Sequence, residues 1–122
     1  MNDVSEWHLL ISSGVNAILC GNRANLDTAL SRLCPYLVFP VHEFSFIRHS
    51  SLPSMAKGTL IVADVNTTLV EQRMFLEWLN AHSGVRVITL SEVSLFDLVV
   101  AGSLLEDLYY HLNPIYYALA RN

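Results

Sequence analysis

Apolar runs and amphipathic stretches alternate along this chain, and the alternation predicts strands separated by helices. Residues 58–65 contain the apolar run 60–62, which predicts a strand buried on both faces, as in the middle of a parallel sheet. Pro40 indicates that another strand lies at an edge, because a proline cannot donate to a ladder. The further predicted strands are residues 16–20, 36–41, 85–90 and 115–119.

Amphipathic segments between these strands predict the helices, the strongest of which covers residues 68–82. Its apolar stripe consists of Leu69, Met74 or Phe75, Trp78 and Leu79. Asp3 and Glu6 resemble a capping box at the start of a first helix, residues 3–12. The remaining predicted helices are residues 24–33, residues 94–102, capped by Ser91 or Ser94, and residues 104–113. Residues 42–55 are largely polar and predict a loop.

The length of 122 residues predicts one domain over residues 1–122, and the alternation of strands and helices predicts that it is α/β. Its composition is more apolar than a lone domain of this size needs. Hydrophobic residues make up 52% and charged residues 15%, so the surplus is expected in a dense core or against a partner. Net charge is −4, and Lys57 and six scattered arginines form no basic cluster, which argues against direct nucleic-acid binding. No apolar run reaches the ~20 residues of a membrane span.

The start M-N-D-V-S-E lacks the basic opening of a secretory signal, so a cytoplasmic protein is expected. Cys20 and Cys34 are therefore predicted to be buried thiols rather than a redox pair. Asp64, His42 and His49 do not have the spacing of a metal site, and no metal is expected.

Three stretches resemble the AAA+ domain of bacterial enhancer-binding proteins, the activators of sigma-54 RNA polymerase. K-G-T-L-I-V-A-D-V is similar to the family's G-G-T-L-F-L-D-E-I, and V-R-V-I-T-L-S-E-V-S-L resembles V-R-V-I-A-A-T-N-R-D-L. A-G-S-L-L-E-D-L-Y-Y-H-L-N is very close to A-G-x-F-R-E-D-L-Y-Y-R-L-N. The resemblance covers about residues 17–119. It implies a three-layer Rossmann-like AAA+ core with a five-stranded parallel sheet in the order 5-1-4-3-2, without a lid domain.

The positions that hold the nucleotide in this family carry other residues here. A phosphate loop needs glycines, a lysine and a hydroxyl so that its amides and charges reach the phosphates and Mg²⁺. Against G-E-x-G-T-G-K-E, the segment C-G-N-R-A-N-L-D-T keeps only Gly21. Ala24 and Leu26 replace glycines, and Asp27, followed by Thr28, stands at the lysine position. Two like charges ~4 Å apart repel by about 4 kcal/mol at an effective dielectric of ~20, so ATP is not expected to bind in the family's manner.

The family's other catalytic positions are replaced independently. Ala63 stands for the metal-binding aspartate, Asp64 for the catalytic glutamate, and residues 91–92, Ser-Glu, for the sensor pair Thr-Asn. The two arginines that reach a neighbouring subunit's nucleotide fall on Leu105 and His111. The G-A-F-T-G-A segment, the lid and the helix-turn-helix have no counterpart. The resemblance therefore implies a truncated, degenerate core that is not an enzyme and holds no cofactor.

Several polar residues allow two interpretations. Asp64 is either a residual metal ligand or base, or a strand-end carboxylate that caps a helix or pairs with an arginine. Asp27 and Thr28 form either a new polar site or the start of a helix, where carboxylates suit the dipole. His111 is either a pH-sensitive contact near Asp107, one turn earlier, or a partly buried surface histidine.

An apolar and aromatic cluster late in the chain supplies the interface candidates. Aromatic residues are favoured at interfaces, and family members form rings through faces that include the last helix, although a packed core would use the same residues. The candidates are Phe96, Leu104, Leu105, Tyr109, Tyr110 and His111, with Tyr116 and Tyr117 beside them.

Three functions follow as hypotheses. The first is a non-catalytic regulatory or protein-interaction module that docks on itself or on a sigma-54 activator. The second is a nucleotide sensor that binds without hydrolysis. The third is an enzyme of changed chemistry around Asp64 and Asp27.

Overall fold

A computed structural model of this protein describes residues 4–119, with side chains from residue 6 onward. The helices are α1 (Val4–Ser12), α2 (Arg23–Leu33), α3 (Leu69–Ala81), α4 (Leu95–Val100) and α5 (Glu106–Leu112), and a short 3₁₀ helix covers Cys34–Tyr36. The strands are β1 (Ala17–Cys20), β2 (Val41–Ser45), β3 (Gly58–Ala63), β4 (Val85–Ser91) and β5 (Ile115–Ala118). Asp3, half of the predicted capping box, lies outside the described residues.

The five strands form one parallel sheet in the order β2-β3-β4-β1-β5. β3 is central to one half of it, with Leu60 beside His42 of β2 on one side and beside Val87 of β4 on the other. β1 lies between β4 and β5, so that Ile18 is level with Thr89 and Tyr116. This is the predicted order and direction, and helices flank the sheet as in a Rossmann-like α/β fold.

Alternation along the buried strands sends side chains into two cores, one on each face of the sheet. Leu60 and Val62 face a core that contains Phe75 of α3 and Leu108 of α5. Ile61, between them, faces the other core, which α1 and α2 cover through Leu10, Leu26 and Leu33. Since each helix layer needs a sheet face to bury its apolar stripe, the result is a three-layer arrangement.

The predicted second strand was wrong in position. Residues 36–41 were expected to pair, whereas the strand is Val41–Ser45, inside the expected loop, in register with Thr59–Ala63. Within the described sheet β2 has a neighbour on one side only, so His42 and Glu43 remain exposed and the strand needs no continuous apolar run. The apolar residues before it, Val38 and Phe39, lie in the connection and are 60% and 70% exposed.

The predicted stripe of α3 was partly wrong. Of the alternatives Met74 and Phe75 it is Phe75 that is buried, Leu79 is buried as expected and Trp78 is half-buried, but Leu69 is 45% exposed. The side chain of Gln72 is fully buried on this helix. A search for apolar periodicity does not identify a buried glutamine. Its burial is explained by its hydrogen bonds, which include partners far away in the sequence.

The helix starts follow local capping chemistry. Thr68 accepts a hydrogen bond from the backbone N–H of Glu71 and caps α3, and Ser94, one of the two predicted caps, accepts one from Asp97 and caps α4. Hydrogen bonds from Thr67 and Thr68 to the Glu71 carboxylate lower its pKa.

Two further findings concern the cysteines and the helices. Cys20 is half-buried, but Cys34 is exposed at the 3₁₀ helix, which corrects the prediction that both thiols are buried. Within residues 4–119 no helix is long and apolar enough to cross a bilayer.

Candidate functional site at the carboxyl edge of the sheet

The carboxyl ends of β2, β3 and β4 and the first turns of α2 surround a cleft of about 490 Å³. Ligands of open parallel sheets bind at this edge, because the strand ends and the following loops leave a crevice there. The carboxylates lining the cleft are those of Asp27, Glu43, Asp64 and Glu92, and its cationic or titratable bases are Arg23, Arg48 and His49. Carboxylates therefore outnumber guanidinium groups, which disfavours a highly charged anion.

Asp64 sits where β3 ends, in an uncommon backbone conformation. Its φ is 61°, in the left-handed region that few residues other than glycine adopt, although aspartate tolerates it better than most. Its Oδ2 accepts a hydrogen bond from Ser45 Oγ at 2.6 Å. Among the described residues its partner is therefore a serine hydroxyl, and not the arginine or helix N-terminus that the sequence suggested.

Ser45 connects Asp64 to the loop that follows β2. Its hydroxyl oxygen accepts hydrogen bonds from the backbone N–H groups of Ile47 and Arg48. Its own N–H donates to Nδ1 of His49 at 3.0 Å, so the proton of a neutral His49 ring is on Nε2. Because the Ser45 hydroxyl donates to the Asp64 carboxylate rather than to the His49 imidazole, these three residues do not have the serine–histidine–aspartate arrangement of a hydrolase triad.

The segment that corresponds to a phosphate loop is a tight turn. β1 ends at Cys20 and α2 begins at Arg23, so only Gly21 and Asn22 connect them. The side chain of Asn22 accepts a hydrogen bond from the backbone N–H of Asn25 at 2.8 Å and so caps the helix. A two-residue connection cannot wrap successive amides around a phosphate.

Leu119 explains the glycine that precedes this cap. A Cβ at Gly21 would lie 2.8 Å from Cβ of Leu119, closer than side-chain carbons pack. The two segments are also joined by a hydrogen bond from Leu119 N–H to the carbonyl of Cys20 at 2.8 Å. The absence of a side chain at Gly21 thus makes room for the chain after β5.

The other predicted nucleotide-site residues are helical. Ala24, Leu26, Asp27 and Thr28 all lie in α2, and Leu26 is 2% exposed in the core. Since α2 begins at Arg23, Asp27 and Thr28 occupy its second turn, which corrects the expectation that they start the helix. Of these four, Leu26 and Asp27 line the cleft.

The resemblance places the family's metal and sensor positions at the ends of β3 and β4. Neither strand ends in a residue with a polar side chain free of intramolecular hydrogen bonds. Ala63 closes β3 with a methyl side chain. Ser91 closes β4, and its hydroxyl donates to the carbonyl of Val93 at 2.6 Å, while Glu92 is exposed. Across residues 4–119 no three His, Cys, Asp or Glu side chains gather closely enough to hold a metal ion.

The interface candidates divide into exposed and buried residues. Phe96 and Tyr110 are 51% and 61% exposed. Leu104 and Tyr109 are 3% and 7% exposed and pack in the core on the α3 side, so they are not surface residues of this chain, a correction that follows from their position between α4, α5 and the sheet. The half-buried residues of the set are Leu105, His111 and Tyr116, and Tyr117 is buried.

Sequence reasoning missed the contribution of the β2 end to the cleft. Ser45, Glu43 and Arg48 were placed in a loop without a role, because β2 was predicted too early in the chain. Their only local signal was the exclusion of Pro40 from a ladder, which displaces the strand toward residues after it.

Comparison with solved structures supplies the fold relationship. The chain is similar to NtrX from Brucella abortus in complex with ATP (TM-score 0.74, 12% identity, 95% of this chain and 34% of that chain) and to NtrX in complex with ADP (TM-score 0.68, 13% identity, 98% and 36%). It is also similar to the P-loop NTPase domain of a sigma-54 transport activator from E. coli (TM-score 0.61, 19% identity, 93% and 96%). The chain spans about a third of the length of NtrX.

No protein-family profile matches the chain, and no curated protein of similar sequence does. At these identities the likeness concerns the fold. The sheet order, the helix layers and the structural neighbours agree, and the protein has an α/β Rossmann-like fold similar to that of the P-loop NTPase domain of this sigma-54 activator.

Proposed function

We propose that this protein is a non-catalytic regulatory or protein-interaction module related to sigma-54-dependent activators. The observation that carries the proposal is the two-residue connection Gly21-Asn22, on which Leu119 packs where a phosphate loop would need open space. Without that loop, a triphosphate loses the amide contacts that position it for hydrolysis.

Electrostatics at the strand ends support the same proposal. Asp27, Glu43 and Glu92 are exposed carboxylates around the cleft, and Asp64 adds a fourth, already hydrogen-bonded to Ser45. A nucleotide phosphate placed there meets repulsion, whereas a lysine and a bound Mg²⁺ would supply attraction in an active NTPase.

An exposed apolar surface supports an interaction role. Phe96 and Val100 lie one turn apart on α4 and are 51% and 72% exposed, and Tyr110 of α5 is 61% exposed. Aromatic residues of this kind are enriched at protein interfaces. The proposed partner is a second copy of this chain or the AAA+ domain of a sigma-54 activator.

Hydrolysis is the first test. Purified protein incubated with ATP and Mg²⁺ is expected to release no phosphate above a protein-free blank, because within residues 4–119 the two-residue turn between β1 and α2 is too short to cradle phosphates. Turnover that co-purifies with the protein through two columns and is lost in Asp64→Ala would contradict the proposal and favour an enzyme of changed chemistry.

Association is the second test, with variants matched for exposure. Light scattering after size-exclusion, alone and mixed with a sigma-54 activator AAA+ domain, is expected to detect a larger species. Phe96→Ser with Val100→Ser should weaken it about tenfold or more, as hot-spot aromatics do. Val70→Ser with Met74→Ser on α3, whose residues are 69% and 60% exposed, should not. If the protein is monomeric by light scattering and forms no complex with the activator domain, the proposed interaction role is overturned.

A nucleotide sensor remains the second candidate, because Arg23 and Arg48 both line the cleft of about 490 Å³. Calorimetry with ATP, ADP and cyclic dinucleotides separates the two functions. Saturable heat that Arg48→Gln removes would favour the sensor. If millimolar nucleotide produces neither heat nor a shift of the melting temperature, the nucleotide-sensor hypothesis is excluded.

A further inference from the structure

A second cavity, of about 580 Å³, opens at the opposite, amino edge of the sheet. The segment between α1 and β1, the starts of β3 and β4, and the end of α3 surround it. Its polar side chains include Asn16, Asn80, His82, Arg86 and His111. This cavity is remote from the carboxyl-edge cleft, since the two lie at opposite ends of the same parallel strands.

Arg86 is the unusual residue of this amino-edge cavity. Its side chain is only 8% exposed, on β4. Nε donates to the carbonyl of Val15 and Nη2 to the carbonyl of Leu10, each at 2.6 Å. Among the described residues no carboxylate pairs with it, and burial lowers its pKa without any compensating charge.

The hydrogen-bond inventory of Arg86 is incomplete. A guanidinium has five N–H donors, and two of them are used by backbone carbonyls. The remaining donors, on Nη1 and Nη2, have no acceptor among the described atoms, and the group lines the cavity. Buried charges in proteins are usually paired, and a fork of free N–H donors matches the two oxygens of a carboxylate or phosphate.

The charges of the residues that line the cavity also favour an anionic ligand. Within the described residues, none of those lining this cavity is aspartate or glutamate, although the whole chain carries 11 acidic residues and a net charge of −4. The carboxyl-edge cleft, by contrast, is lined by four carboxylates. Besides Arg86, His82 and His111 also line the amino-edge cavity.

Apolar residues in the wall of the amino-edge cavity indicate that the ligand also has an apolar portion. Tyr36 and Val38 line the cavity and are 56% and 60% exposed, and Ile11 is half-buried beside them. We propose that the amino-edge cavity binds a small organic anion, whose carboxylate or phosphate group contacts Arg86 and whose apolar portion lies against Tyr36 and Val38. The site does not depend on the function proposed for the carboxyl edge.

The test is an NMR titration of the full chain at constant ionic strength, read on the Nε–H signal of Arg86 and on the amides of Gly14 and Gly84. The probes are inorganic phosphate and the carboxylates acetate, butanoate and hexanoate. Saturable shifts are expected, with dissociation constants on the order of millimolar. Within the carboxylate series affinity should rise with chain length, because each added methylene buries more apolar surface.

Variants locate the site. Arg86→Lys keeps the charge but loses the fork, and should raise the dissociation constants at least about tenfold. Arg48→Lys, in the carboxyl-edge cleft, is the matched control and should leave them within about twofold, as an independent site does. Should Arg86→Lys fail to fold, Tyr36→Ser with Val38→Ser replaces it, and should weaken hexanoate but not phosphate.

The outcomes separate the head groups and the sites. Phosphate binding without chain-length dependence among the carboxylates assigns a phosphate ligand, and the reverse assigns a carboxylate. No saturable shift below about 50 mM of any probe, weaker than ordinary metabolite affinities, would overturn the proposal. Equal losses in Arg86→Lys and Arg48→Lys would also overturn it.

Discussion

Gln72 shows what a single buried polar residue does in this fold. Its side-chain amide donates to the carbonyls of Thr67 and Ser103 at 2.9 and 2.8 Å, and its carbonyl oxygen accepts from the N–H of Leu105 at 2.8 Å. The residue thereby joins the start of α3 to the turn before α5. Those backbone groups have no helix or strand partner there, so the amide satisfies them.

Replacing Gln72 by methionine keeps the volume but removes all three hydrogen bonds. We expect Gln72→Met to lower the free energy of unfolding by about 2–4 kcal/mol, because a fully buried side chain loses three hydrogen bonds to part-buried backbone groups, each worth about 1 kcal/mol. Urea denaturation measures the loss. Met74→Gln, on the exposed side of the same helix, should change stability by less than about 0.5 kcal/mol. Equal effects of the two changes would contradict this assignment.

Tyr116 carries a pH prediction at the same scale. Burial, followed by its hydrogen bond with Cys20, raises the pKa of Tyr116 to about 12. The folded protein therefore favours the neutral phenol, and this contribution is complete below the ordinary tyrosine pKa of ~10 and is lost as the pH rises toward 12.

Stability should therefore fall between pH 10 and pH 12, and Tyr116→Phe should make that fall shallower. Denaturation at pH 9 and pH 11 gives the change, and absorbance of tyrosinate follows the titration directly. Tyr36→Phe removes an exposed phenol instead and is the comparison. A slope unchanged by Tyr116→Phe would show that other groups dominate.

At the scale of elements, the short connection between β1 and α2 depends on the end of β5. Gly21 leaves room for Leu119, and the backbone hydrogen bond from Leu119 to Cys20 holds the two segments together. The helix predicted over residues 24–33 was correct to within one residue, since α2 covers Arg23–Leu33. The contact with Leu119 was not predictable, because about a hundred residues separate the two positions.

A double-mutant cycle tests this contact. Gly21→Ala should cost about 1–3 kcal/mol, because its Cβ would lie 2.8 Å from that of Leu119. Leu119→Ala leaves the Cβ in place but removes the atoms beyond it, which lets the chain shift. The double variant should therefore be more stable than the sum of the single losses, by at least about 0.5 kcal/mol. Strict additivity would argue against the contact.

Across the whole molecule, β5 completes the sheet and one of its two cores. It pairs with β1, and Tyr117 packs edge-on against Trp7 of α1 at 5.7 Å. Arg32 of α2 lies 5.0 Å from the same Trp7 ring, so the aromatic pair joins α1, α2 and β5. The last strand thus contributes to the core on the α1 and α2 side as well as to the ladder.

A chain ending after Pro114 is expected to lose its cooperative fold. It would lack β5, make β1 an edge strand, and expose the core that Tyr117 covers. Near-ultraviolet circular dichroism and urea unfolding would report the loss as a missing sharp transition. A truncated chain with a full native signal would show that β5 is dispensable.

Local sequence patterns were enough for much of the architecture. The buried run in β3, the position of α3 and the cap at Ser94 are properties of neighbouring residues. The resemblance supplied the strand order. The position of β2 was not predicted correctly, because an edge strand can carry exposed polar residues. The mostly polar residues 42–45 therefore gave no strand pattern that could be recognised in the sequence.

The two clefts required residues from distant parts of the chain. Ser45 with Asp64, Leu119 with Gly21, and Arg86 with Leu10 each unite segments far apart in sequence. The sequence gives the chemical type of each side chain. Whether that side chain is buried, which residues contact it and which of its donors lack a partner depend on the tertiary structure. The differences from the phosphate-loop motif could be read from the sequence alone. The tight turn at Gly21 and Asn22 and the cavity around Arg86, which has no carboxylate among its described lining residues, exist only once the sheet has formed.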